Sequence, residues 1–182
     1  MSYPKKSDEA FEDMLSGGHH NSLGRTVEVV DIILGDKGAL DALFACYDSP
    51  DETVRLRTSS AFKRVFRAHP DWFIDYVDRF HERIPRLGQP SAEWTLSQIH
   101  LDCFEVLSPA QIKTATKIAK SQLEQGHDWI VLIQTMYLLR HIVTVIPEER
   151  PWFVTQLERL SQDKRTSVSK KARTLYDDLS NR

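Results

Sequence analysis

The chain has 182 residues, enough for a single domain with a sizeable core. Apolar residues make up 41% and charged residues 27%, the balance of a soluble globular protein, and a net charge of −2 argues against wholesale attraction to nucleic acid or anionic lipid, leaving room for a local basic stripe. The longest central run without charge, Trp129 to Leu139, is too short to cross a bilayer, and the N-terminus has no apolar stretch of the secretory kind. Cys46 and Cys103 read as two buried thiols, which fits a reducing, cytoplasmic setting.

Residues 1–21 read as a flexible tail. Ser16-Gly17-Gly18-His19-His20-Asn21 is turn-forming and poor in apolar residues, with at most a short helix near Asp8 to Leu15 before it. Residues 22–182 read as one domain, helical throughout. Val27, Val30 and Leu34 recur at helical steps, Ile33 widens that stripe, and Gly35 to Gly38 breaks it. Leu40, Leu43 and Phe44 follow on one side of the segment to Tyr47.

Ser49-Pro50-Asp51-Glu52 has the form of a capping box with proline in the first turn, and opens a helix to about Ala68 with Val54, Ala61, Phe62, Val65 and Phe66 buried. His69-Pro70 ends it and starts another helix that stops before Pro85. A helix from Ser91 carries Trp94, Ile99, Leu101 and Phe104. Ser108-Pro109-Ala110-Gln111 is a second capping box, whose helix puts Lys113, Lys117 and Lys120 outside. Gly126 is the expected stop, Asp128 the expected cap of an apolar helix to about Val145. Two amphipathic helices, Glu148 to Ser161 and Ser167 to Leu179, complete the chain.

The pattern repeats. Val54, Trp94, Ile130 and Val168 anchor helix openings at spacings of 40, 36 and 38 residues, and Pro70-Asp71-Trp72-Phe73 is echoed by Pro151-Trp152-Phe153. A period of that length marks stacked helical hairpins, each too thin to bury its own apolar face. In Asp51-Glu52-Thr53-Val54-Arg55-Leu56-Arg57 the chain resembles the Asp-x-x-Val-Arg opening of HEAT-like repeats, and the stretch from Leu23 to Leu179 is similar to small bacterial HEAT-like proteins. The later repeats depart from that motif, with Thr95, Val131 and Ser169 where the first has Arg55. The resemblance implies an all-α, right-handed α-solenoid of about four hairpins plus end helices, and scaffold-type behaviour.

Second helices of such hairpins usually line the concave face. Arg55, Lys63, Arg64 and Arg67 are therefore the candidate contacts for a protein partner, acidic or otherwise anionic, with Lys170, Lys171 and Arg173 adding charge on the last helix. A solvated face paired with Asp71, Asp75 and Asp78 accounts for the same residues. The apolar helix from Trp129 to Val145 is either sandwiched between neighbours or the face of a homodimer.

Some HEAT-like proteins excise alkylated bases from DNA, and Trp94, Trp129 and Asp102 stand in the chain without a motif that carries such roles over. His100 and Cys103 share a helix face but have no matching ligand pair, and His81-Glu82 occurs once, where iron-binding HEAT-like hydroxylases repeat it. The expected function is non-catalytic protein binding, with no metal and no cofactor. A nucleic-acid binder and a homodimeric structural protein are the alternatives.

Overall fold

The computed structural model describes residues 9–20 and 22–180, and among these residues it contains ten α-helices, five short 3-10 segments and no strand. The all-α expectation stands. No helix among the described residues is long and apolar enough to cross a membrane. The chain divides into two compact units, Met1–Ile74 and Asp75–Arg182.

The first unit contains α1 (Phe11–Leu15), α2 (Thr26–Gly35), α3 (Leu40–Ala45) and α4 (Glu52–Ala68). Helix α4 packs on both α1 and α2. A continuous aromatic column fills the interior: Tyr47 stacks on Phe62 at 5.9 Å, Phe62 on Phe66 at 5.4 Å, and Phe66 meets Phe73 at 5.0 Å. Close offset rings of this kind add to the burial of their area. Tyr47 is enclosed, so its hydroxyl pairs with Ser59 Oγ at 3.0 Å, and burial pushes the phenol above its ordinary range.

Within residues 9–20, part of the segment that composition reads as a tail, three side chains reach the interior of this unit and the others are exposed. Phe11, Met14 and Leu15 are buried, a short amphipathic helix too brief to dominate a composition average. Residues 1–8 and Asn21 lie outside the described residues. On α2 the stripe sits one step from its expected place. Val29, Val30 and Ile33 are buried, whereas Val27 is 48% exposed.

The start of α4 also differs. Asp51, not Ser49, is the N-cap: its carboxylate accepts from the Thr53 N–H at 2.7 Å, and Ser49 Oγ instead accepts from the Asp51 N–H at 3.2 Å. Pro50 thus precedes the helix. The Pro70 segment forms a 3-10 turn over Pro70–Asp75, not an α-helix.

The second unit contains α5 (Val77–Leu87), α6 (Pro90–Asp102), α7 (Pro109–Gln125), α8 (Trp129–Val145), α9 (Arg150–Leu160) and α10 (Thr166–Ser180). Helix α5 runs two residues past Pro85, whose missing N–H falls in the last turn, and ends at Gly88 in the left-handed region at φ 59°. The Ser108 box forms in full. Ser108 Oγ accepts from the Gln111 N–H at 3.3 Å, and Gln111 Oε1 accepts from the Ser108 N–H at 3.0 Å. Gly126 stops α7 with an ordinary negative φ of −64°; a Cβ there would sit 2.3 Å from the Gln122 carbonyl oxygen, so close approach is what demands glycine.

Neighbours in sequence pair as α5 with α6, α7 with α8, and α9 with α10. Across the pairs, α6 packs on α8 and α8 on α10, while α5 packs on α7. Arg159 on α9 donates to the Leu123 carbonyl of α7 at 2.9 Å, and Arg140 on α8 pairs with Asp178 on α10 at 2.7 Å. Helix α8 is covered on most sides: Val131, Leu132, Met136, Leu138, Leu139, Ile142 and Val143 are buried, leaving Trp129, Tyr137 and Val145 exposed. The repeat anchors open their helices, but on α8 the fully buried position is Val131, one residue after Ile130.

Candidate functional site

The four expected contact residues all lie on α4, and their surroundings differ. Arg55 turns back and donates to the Ser49 carbonyl at 2.6 Å, bracing the turn before its helix. Lys63 and Arg67 each engage neighbouring groups. Arg64 is exposed and makes no hydrogen bond or ion pair among the described residues. Lys63, Arg64 and Arg67 share an arc of the helix by their three- and four-residue spacing, and Arg55 sits two turns away. None of these four lines any of the three cavities described next.

The basic residue of α4 with the largest structural role is Arg57, which the motif contains but the expected contacts omit. It is 1% exposed. Its guanidinium donates to the carbonyls of Leu15 (2.7 Å), Ser16 (3.1 Å), Gly17 (2.6 Å), His19 (3.1 Å) and Ser22 (3.1 Å), and to Ser22 Oγ at 3.1 Å. Gly24 lies flat against it. At φ +50° a Cβ on Gly24 would sit 2.9 Å from Arg57 Cζ, so both the backbone conformation and the contact call for glycine. The position was visible in one respect: 57 falls on the same stripe as Val54, Ala61 and Val65, where a cation needs a reason.

Two open grooves flank α7. The first, about 520 Å³, runs between the α5–α6 turn and α7, with Pro90 and Glu93 on one wall, Lys117 and Gln122 on the other, and Asp128 at its end. The second, about 670 Å³, lies between α7 and the start of α9, with Lys113, Lys117, Lys120 and Glu149 among its lining. Lys117, Ser121 and Gln125 belong to both, so α7 forms a ridge with a groove on each side. A smaller cavity of about 280 Å³ lies beside Arg173 and Tyr176.

The chemistry of the two grooves differs. In the lysine groove, Lys120 is held by Glu149 at 2.8 Å and sits 4.4 Å from the centre of the Trp152 ring, while Lys113 and Lys117 have no partner among the described residues. Trp152 is therefore half-buried under a lysine rather than core, as is Trp72, which stacks on His69 at 4.2 Å with Lys37 at 5.7 Å from its ring. In the other groove, the Glu93 carboxyl is half-buried and accepts no hydrogen bond among the described residues; burial and then the charge of Asp128 push its pKa up. Asp128 uses one oxygen to cap α8, taking the N–H groups of Ile130 at 2.7 Å and Val131 at 3.0 Å.

His100 has a partner that spacing along its own helix does not give. His81 of α5 meets it, Nε2 to Nε2, at 2.8 Å, and both rings are buried. One nitrogen must carry a proton and the other a lone pair, so the pair is stable only while at most one shared proton is present. Burial, then the neighbouring ring, hold His100 down to about 3; burial lowers His81 as well. Cys103 is buried nearby in sequence, and desolvation pushes its thiol up to about 12, the opposite of what a metal-binding or nucleophilic thiolate needs. No group of three or more metal-capable side chains converges among the described residues. Trp94 is half-buried, Trp129 and Asp102 are exposed, and none lines a described cavity.

No family model, no curated protein and no solved structure matches this chain.

Proposed function

We propose that the chain is a non-catalytic protein-interaction module, that its hairpins form a HEAT-like, right-handed α-solenoid, and that α7 with its two flanking grooves is the partner-binding surface. The layered pairing of α5–α6, α7–α8 and α9–α10 supports the repeat reading, since each hairpin hides apolar area on the next. The observation that carries the binding surface is the opposition of charge across one ridge. Glu93 and Asp128 line only the first groove and Lys113 only the second, Lys117 lines both, and neither of these lysines nor Glu93 has a hydrogen-bond partner within the described residues. Polar groups left unpaired at a groove are free to set register and specificity for a partner of complementary charge. The arc of Lys63, Arg64 and Arg67 on α4 is a second contact surface in this reading. Cys46 and Cys103, both free and buried, suit a reducing compartment.

A photo-crosslinking residue at Ser121, on the ridge, should trap a partner polypeptide in cells, and one at Thr174, exposed on α10, should not. Equal trapping at both positions, or adducts to nucleic acid in place of protein, would overturn the reading.

A further inference from the structure

Helix α8 keeps one side open, and the chemistry of that side is unusual. At about 3.6 residues per turn, every α8 residue that is not buried falls in a single arc centred on Tyr137. Five of them are large and apolar: Trp129, Ile130, Ile133, Tyr137 and Val145. Arg140 is the one lysine, arginine or carboxylate residue in the arc, and Asp178 of α10 holds it at 2.7 Å. The open side of a helix ordinarily carries charge, as α7 does with Lys113 and Lys117. An apolar arc open to water is the mark of a face that another molecule covers.

The two flanks of the arc say which molecule. Helix α8 packs on α6 and on α10, and the contacts fall on opposite halves of the arc. On one half, His141 meets the Phe104 ring at 4.3 Å, which sets Asp102 and Glu105 along that edge. Helix α6 and the turn after it contain no lysine or arginine. On the other half, Lys171 of α10 lies 4.7 Å from the centre of the Tyr137 ring, with Lys170 exposed beside it. Asp177 lines the small cavity beside Arg173 and Tyr176, away from this edge. Glu105, Lys170 and Lys171 have no ion-pair partner among the described residues. The face thus runs from an acidic edge through an apolar centre to a basic edge.

Such a face is complementary to itself. A two-fold axis parallel to α8 lays the acidic edge of each copy over the basic edge of the other and brings Tyr137 against its counterpart; an axis across α8 would set like edges together. Three adjacent helices of this length present roughly 700 Å², near the ~800 Å² that each partner of a standard interface buries. We infer that the α6–α8–α10 face is a homodimer interface, with a second copy of this chain seated on it and the two α8 helices parallel. The α7 grooves lie toward the opposite side of α8, where Gln122 reaches Thr135, so the dimer leaves them open and the inference does not rest on them.

The test is sedimentation velocity of the full chain over a concentration series, in which monomer should give way to dimer. Tyr137→Glu, at an exposed position, should abolish the dimer and leave the helical circular dichroism unchanged. Glu105→Lys and Lys171→Glu should each weaken the dimer about tenfold, with the larger loss at low salt. Mixed with one another, those two variants should associate as the parent does, because each altered edge then meets its opposite. The chain carrying both changes should dimerise alone for the same reason.

A parent that stays monomeric at every concentration would overturn the inference, and a crosslinker at Tyr137 that then traps a foreign protein would assign the face to that protein. A dimer untouched by folded Tyr137→Glu would place the interface elsewhere on the chain and overturn it equally. A mixture of the two charge variants that associates no better than either alone would overturn the parallel arrangement on which the argument for a second copy stands. In the crosslinking experiment, a self-adduct at Thr174, recognised by its doubled mass, belongs to this dimer, and a foreign polypeptide is expected at Ser121 alone. The two surfaces therefore stand or fall separately.

Discussion

Each unit buries nitrogen-rich side chains, and the two solve the problem in opposite ways. In the first, five carbonyls and a hydroxyl converge on the guanidinium of Arg57. In the second, His81 and His100 share a bond at 2.8 Å, and His81 Nδ1 is buried without a hydrogen-bond partner among the described residues. A guanidinium cannot shed its proton and so needs acceptors when buried, whereas an imidazole can become neutral. A buried cation is tolerable when its hydration shell is replaced group for group, and a buried base with too few acceptors stays neutral. The comparison also separates structural from available charge. A basic residue in a helical motif is no measure of a binding face until its acceptors are counted.

The largest effect should come from taking the cation out of its cradle. Arg57→Met should cost about 3 kcal/mol or more in urea unfolding, since it strips donors from several carbonyls at once, and Arg57→Lys should restore only part, lacking the planar fork. A loss under about 1 kcal/mol would mean the carbonyls are satisfied by water and the contrast with the histidine pair is empty.

The histidine pair should make stability acid-sensitive. Its folded-state pKa values lie below the ordinary histidine range, so below about pH 6.5 the unfolded chain binds more protons than the folded one. Stability must therefore rise with pH through that window and fall as pH drops from about 6.5 toward the folded value. The loss approaches about 1.4 kcal/mol per pH unit for each such group. His100→Gln should flatten the slope of unfolding free energy against pH; an unaltered slope would show that carboxylates alone drive acid unfolding.

Gly24→Ala should cost about 1–3 kcal/mol through its positive φ and its contact with the guanidinium. The same substitution in an Arg57→Met background should cost less, and a double-mutant cycle without coupling would deny the contact. The smallest effect belongs to Arg64→Glu, expected within about 0.5 kcal/mol of the parent, because Arg64 is exposed and makes no hydrogen bond or ion pair among the described residues.

What could be read from the sequence was local. The Ser108 box works because its serine and Gln111 lie within one turn and need nothing else. The similar run at Ser49 differs because Asp51 competes for the same role from two residues closer, and an aspartate is at least as good a cap. Periodicity placed α8 and its burial, yet erred by one residue on α2, where apolar residues surround more than one face. The long-range features left no local trace. Arg57 reaches carbonyls 35 to 42 residues upstream, and backbone carbonyls carry no side-chain signature. His81 and His100 lie 19 residues apart on different helices, so spacing along one helix pointed to Cys103 instead. The α7 grooves depend on how far neighbouring helices splay, which no pattern within α7 encodes.

The grip of Arg57 on the Leu15–Ser22 stretch has a consequence for trimming the protein. Deleting everything ahead of Leu23 would remove every acceptor that Arg57 uses and strand an ionised side chain inside apolar surroundings. A shortened version meant to keep only the neat helical hairpins would therefore lose solubility or fold poorly. Replacing the arginine with methionine in that same shortened version should recover part of the loss.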